Sequence, residues 1–248
     1  MSRILLHSII ALLLTMLTQI GGLAWLVAQL FHQRLLPFLL IYSAMTVASI
    51  WIAPSFGRTA LSCSASGPLQ VQSWMYCALN RNYVTPQLAD VLKQTAITMD
   101  ERYPGTTTLV LDSNFPFFDN FPLLPHLSHD DGEKADLAFY YRDEAGYLAG
   151  ATRSPIGYFA FEQGPSDCPA IWPTLRWDLA ALQPMWLNYA LDQQRNRAVL
   201  QTLTNDPRVG RIFVEPHLAQ SLNIAHPKVR FQGCRAARHD DHIHLQLR

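Results

Sequence analysis

No aspartate or glutamate occurs before Asp90, and the first 57 of the 248 residues carry only two formal charges, Arg3 and Arg34. Charge is scarce throughout: 15% of the chain is charged and 49% hydrophobic, against roughly a quarter charged in an ordinary soluble domain. That balance excludes a disordered chain and argues against an all-soluble one. Nineteen basic residues match nineteen acidic ones, so no net field draws the chain to nucleic acid, and none is expected as a partner. Internal repeats and low-complexity segments are missing, and none of the four cysteines falls in a CxxC.

The acid-free front end is apolar. Ile4 to Phe31 is a run of 28 residues without a formal charge, and Leu35 to Ala53 is a second run of 19. His32-Gln33-Arg34 separates them, and Pro54 to Arg58 ends the region with turn chemistry. A helix of about 20 apolar residues crosses a bilayer, whereas a cleaved signal has an apolar core of only about 7–15. The runs therefore predict a membrane anchor of two transmembrane helices over residues 1–57; a single span or a long signal sequence is the alternative. Arg3, Arg34 and Arg58 do not fix its orientation. All four cysteines lie beyond the anchor, which favours two disulfides in an oxidising compartment. Of three connectivities Cys63–Cys77 with Cys168–Cys234 is preferred, and four buried free thiols are the alternative.

Residues 58–104 read as a helical lead-in, clearest at Gln87–Asp100, where Leu88, Val91, Leu92 and Ile97 recur at helical spacing. Beyond Gly105 four strands are expected, at Thr106–Leu111, Ala135–Tyr141, Gly210–Glu215 and His242–Leu247. A long loop lies at Asn114–Pro125, helix at Trp177–Leu203 with a break at Pro184, and a short helix at Ala219–Ile224. The predicted fold is α+β: a small antiparallel sheet of about four strands flanked by helices, with residues 105–248 as its domain.

Five of nine histidines fall in two short segments, 126–129 and 239–244. On a strand, His242 and His244 point to one face and Ile243 to the other. A turn at Gly132 can bring His129 back beside Asp136. Two imidazoles and a carboxylate are ligands of the type catalytic zinc favours, with a fourth position left for water. A further imidazole can take a proton and return it to a leaving amine. His126 is an alternative ligand to His129. Asp240 and Asp241 are the better candidates, ahead of Asp130 and Asp131, for holding imidazole N–H groups. His7, His32, His217 and His226 read as structural, and Trp172, Trp177 and Trp186 as core.

His129-Asp130-Asp131-Gly132-Glu133-Lys134-Ala135-Asp136 resembles the HxxGxxxD signature of the LAS zinc metallopeptidases, the group of lysostaphin, the D-Ala-D-Ala peptidases and sonic hedgehog. His239-Asp240-Asp241-His242-Ile243-His244 is similar to the HDDHxH motif of one branch, the penicillin-insensitive murein endopeptidases, and Val209–Val214 before a short helix also resembles that branch. The resemblance covers roughly Gly105 to the end. It implies zinc bound by His129, Asp136 and His244, a catalytic His242, and a supporting active-site role for His239. Leu127 and Lys134 stand where the common motif has Ser and Ala.

What the resemblance implies is a zinc-dependent endopeptidase that hydrolyses peptide cross-links of peptidoglycan. The anchor would hold it in the inner membrane with the catalytic domain in the periplasm. Ligand histidines must be neutral to bind zinc, so activity is expected to fall below about pH 6. Two alternatives share the fold: a non-catalytic zinc-containing module that binds cell wall or a partner, as hedgehog shows within the group, and a carboxypeptidase.

Overall fold

The structure, a computed structural model, describes residues 2–169, 176 and 179–248. Trp172 and Trp177 lie outside the described residues. In chain order the elements are α1 (Ser2–Thr18), α2 (Gly21–Ala28), α3 (Leu35–Ile52), β1 (Thr59–Ala60), β2 (Leu69–Val71), α4 (Trp74–Ala78), β3 (Tyr83–Val84), α5 (Pro86–Arg102), β4 (Thr108–Val110), β5 (Lys134–Ala138), β6 (Tyr141–Asp143), β7 (Gly146–Tyr147), β8 (Ala190–Leu191), α6 (Gln193–Asn205), β9 (Val209–Phe213), α7 (Pro216–Ser221), β10 (Val229–Arg230) and β11 (His242–Leu247). The chain is mixed α+β. Its contacts gather into two compact units. The first is Met1–Cys63, Trp74–Ala89 and Asp112–Lys134; the second is Ser64–Ser73, Asp90–Leu111 and Ala135–Arg248.

In the first unit the long apolar run is not one helix. Thr18 Oγ1 donates to Leu14 O and accepts from Gly21 N, both at 2.8 Å, and Gln19 takes a left-handed φ of 66°. That corner ends α1 after 17 residues, and α2 adds only eight. Gly21 allows the return, because a Cβ there would lie 2.6 Å from Thr18 Oγ1. The apolar front end is thus α1, a short α2 and α3 rather than two unbroken helices. Leu35–Phe56, α3 with the 3-10 turn after it, is the one helix among the described residues long and apolar enough to cross a membrane. At 22 residues it is about 33 Å long, against about 30 Å of hydrocarbon. Beyond it, β1 pairs antiparallel with β3, and Cys63 is bonded to Cys77.

The lead-in is less helical than its composition suggests. Only α4 and α5 are α-helical between residues 58 and 104, and the rest is turns and irregular chain with three short strands. Leu88, Val91, Leu92, Ala96 and Met99 form the buried stripe of α5, while Ile97 is exposed; the i, i+3, i+4 pattern passes through Ala96 rather than Ile97.

The second unit is built on a sheet of six strands, not about four, in the order β10-β9-β11-β5-β4-β2. The four strands read from the sequence are its centre. The strands missed are the edges β2 and β10, of three and two residues, and both pair parallel with their neighbours. The sheet is thus mixed: β9 with β11 and β4 with β5 are antiparallel. A second, three-stranded sheet runs β7-β6-β8. Where helix was expected before Leu203 there is a 3-10 turn at Gln183–Met185, then β8, then α6. Asp192 caps α6 by accepting from Arg195 N at 3.0 Å, and Ala198, Val199, Leu200 and Leu203 are its buried face. Cys168 is bonded to Cys234.

Candidate functional site

Strand alternation sorts β11 cleanly. Ile243, Leu245 and Leu247 are buried on one face, and His242, His244 and Gln246 share the other. Asp136, fully buried on β5, receives this second face. His244 Nδ1 lies 2.8 Å from Asp136 Oδ1, and His242 Nε2 lies 3.7 Å from Asp136 Oδ2. Tyr158 donates its hydroxyl to Asp136 Oδ2 at 2.6 Å and sets its ring edge-on to His242, with centroids 4.9 Å apart. A carboxylate this buried has to be matched by donors, since an isolated one would cost several kcal/mol.

His242 has its own carboxylate. Its Nδ1 is 2.5 Å from Asp241 Oδ1, and Asp241 Oδ2 accepts from the Phe159 amide at 2.6 Å. With Nδ1–H donated to Asp241, the lone pair sits on Nε2 and faces Asp136. The His239 ring lies 4.9 Å from that of His242 and 5.5 Å from that of His244. It is held through its backbone: His239 N donates to Glu215 Oε1 at 3.3 Å, and Glu215 N donates to His239 O at 3.0 Å. Arg176 in turn grips Glu215 with two bonds of 3.0 and 2.8 Å. Asp240 is paired with Arg238. It accepts from Arg238 at 3.0 and 2.5 Å, and burial raises its pKa although Arg238 works against that. Burial likewise raises Glu162, against the Arg153 guanidinium at 2.6 Å.

The HxxGxxxD turn is organised by Gly132. Its φ is 81°, and a Cβ there would stand 2.5 Å from the Arg58 guanidinium. Its amide donates to Asn114 Oδ1 at 3.0 Å, and its carbonyl accepts from Thr85 N at 2.8 Å. His129 is 1% exposed and donates Nδ1–H to Ser113 O at 2.7 Å, which puts the lone pair on Nε2. His126 Nδ1 lies 3.3 Å from Asp112 Oδ2, and Arg81 Nε pairs with the same carboxylate at 2.8 Å. Within this one stretch of chain, ligand atoms of His126, His129 and Asp136 all lie within 4.8 Å of one another, a grouping able to hold a metal ion. Asp130 and Asp131 face Lys134 instead.

Asp136 is therefore common to two groupings, one with His126 and His129 and one with His244, His242 and Tyr158. The donor types fit zinc: imidazoles, with a ring nitrogen of His129 and of His244 held by an oxygen, and a carboxylate. Of the two carboxylates expected to hold an imidazole, Asp241 is the one that holds His242. His126, named before as a substitute for His129, stands beside it. Tyr158 carried no signal in the sequence, being placed by an irregular loop in which Phe159 has φ 65°. Gln246 could have been found by extending the alternation two residues past His244.

No known protein-family profile matches this chain, and no curated protein is found similar to it.

Proposed function

We propose that the protein is a membrane-anchored, zinc-dependent peptidoglycan endopeptidase of the inner membrane, acting from the periplasm on amide bonds of murein peptide cross-links. The observation that carries this reading is the orientation of His242, whose Nδ1 is taken by Asp241 and whose Nε2 faces Asp136. His129, Asp136 and His244 are the zinc ligands in this reading. Bound zinc supplies a Lewis acid that polarises a carbonyl and lowers the pKa of water toward about 7. His242 Nε2 accepts a proton from the attacking water and returns it to the leaving amine, while Asp241 steadies the imidazolium. His239 lies within ring contact of both histidines and donates to the oxyanion as it develops.

The test is digestion of purified peptidoglycan by the full-length protein in detergent with zinc, beside His242→Ala and His244→Ala. Conversion of cross-linked dimers into monomers by the wild type alone is the expected outcome, and the masses name the bond. Release of a terminal residue from uncrosslinked peptides would instead make it a carboxypeptidase. No cleavage by a zinc-loaded wild type would remove the enzyme reading.

One observation favours a second reading. His126 sits with His129 and Asp136, and a protein ligand in the position a catalytic site leaves to water would close a tetrahedral site as structural zinc sites are closed. The protein would then be a non-catalytic wall- or partner-binding module. His126→Ala separates the two: an open catalytic site keeps its zinc without that ring, and a closed structural site loses affinity.

A further inference from the structure

We propose that Gln246 is a positioning residue of the metal site, its side-chain amide holding His244 Nε2 so that Nδ1 is the coordinating atom. This rests on the zinc reading above and extends it to a residue that neither motif contains. Gln246 follows His244 by two residues on β11, on the same face, in register with Arg211 of β9. Its amide lies 2.9 Å from His244 Nε2, and the opposite ring nitrogen, Nδ1, lies 2.8 Å from Asp136 Oδ1. His244 is 2% exposed, so bulk water has little access to either nitrogen. Amide on one side and carboxylate on the other fix which atom of His244 faces Asp136.

A neutral imidazole carries one proton. With the amide nitrogen donating to Nε2, that proton is on Nδ1 and Asp136 accepts it. A metal at Nδ1 takes the lone pair there, which requires the proton on Nε2. The amide turned over presents Oε1 to that proton, so one side chain serves both arrangements because it donates from one end and accepts at the other. Leucine serves neither, and glutamate serves the metal-bound one. Tyr158 does the corresponding task for Asp136, occupying Oδ2 and leaving Oδ1 beside His244.

The experiment measures zinc affinity of the full-length protein in detergent by competition with a chromophoric chelator. Gln246→Leu is expected to weaken binding about 10–100-fold, as loss of an imidazole's outer partner does, while Gln246→Glu stays within about threefold of wild type or binds more tightly. Nitrogen-15 NMR of zinc-loaded wild type is expected to place the His244 proton on Nε2. Equal affinity of Gln246→Leu and wild type overturns the inference and leaves the metal site standing. So does a Gln246→Glu variant that loses as much as Gln246→Leu. A wild type that binds no zinc, or a His244→Ala variant that binds as tightly as wild type, overturns the zinc reading and this inference with it.

Discussion

The Asp241 carboxylate is shared between an imidazole and a backbone amide, and both bonds matter to what His242 can do. Replacing Asp241 with Asn lets a donor face Nδ1, which favours the tautomer with its lone pair on the wrong nitrogen. Turnover on cross-linked muropeptides is expected to fall by about 10²-fold or more, with zinc stoichiometry unchanged. Full activity in that variant would mean His242 is not the base. Asp240, one residue earlier, makes a prediction about stability. Burial raises its pKa above the ordinary 3.8, so the folded protein holds that proton over a pH window in which the unfolded chain has released it. Stability from this group is therefore greatest at the acidic end of the window and is lost as pH rises to the raised value. Asp240→Asn should flatten the fall in thermal midpoint as pH rises above the ordinary carboxylate value, leaving the part due to Glu162, which shifts in the same direction. An unaltered slope would show that Arg238 compensates the Asp240 charge fully.

At the scale of elements, Gly132 is where the HxxGxxxD turn is most exposed to change. Alanine there must hold a φ of 81° and displace the Arg58 guanidinium, which is paired with Asp119. Gly132→Ala is expected to cost about 1–3 kcal/mol, read by thermal or denaturant unfolding, and to weaken zinc binding in parallel. The turn was legible because His129, Gly132 and Asp136 are close in sequence and glycine has a specific steric role. The four central strands were legible for a similar reason: β-branched and aliphatic runs, and the alternation of β11, are local signals. Edge strands β2 and β10 were not, because two or three residues carry no periodicity and depend on a neighbour for their hydrogen bonds. The lead-in between 58 and 104 misled in the same way, its short strands being made by pairing of β1 with β3 and of β2 with β4. Asp241, Tyr158 and Gln246 mark the same division within the site. Asp241 is beside its imidazole in sequence, Gln246 lies one strand repeat away, and Tyr158 reaches Asp136 across 22 residues of mostly irregular chain.

The whole molecule combines an apolar front end with two disulfides, and together these make a claim about topology. Cys63–Cys77 and Cys168–Cys234 close loops of 14 and 66 residues, worth about 3 and about 4 kcal/mol on loop-entropy grounds. Reduction should lower the thermal midpoint in detergent, and thiol-directed labels should react only after reduction. Such bonds persist where the compartment is oxidising, so the chain beyond Phe56 is expected on the periplasmic side.

The anchor then has to deliver it there, and the broken first run changes how. A hairpin of two spans would return the chain beyond Phe56 to the side on which Met1 starts. With α1 and α2 divided at Gln19, α3 is the helix long and apolar enough to cross, and Arg34 stands directly before it. Arg34 before α3 and Arg58 after it oppose each other under the positive-inside rule, so the disulfides give the direction, and a single crossing would carry everything after Phe56 outward without help from a second span. The expected result is that protease added to intact spheroplasts digests the disulfide-bonded part and spares an N-terminal tag. Digestion of both would restore two crossings. Protection of both would put the cysteines in a reducing compartment, in conflict with their pairing, and would remove the periplasmic reading together with its murein substrate.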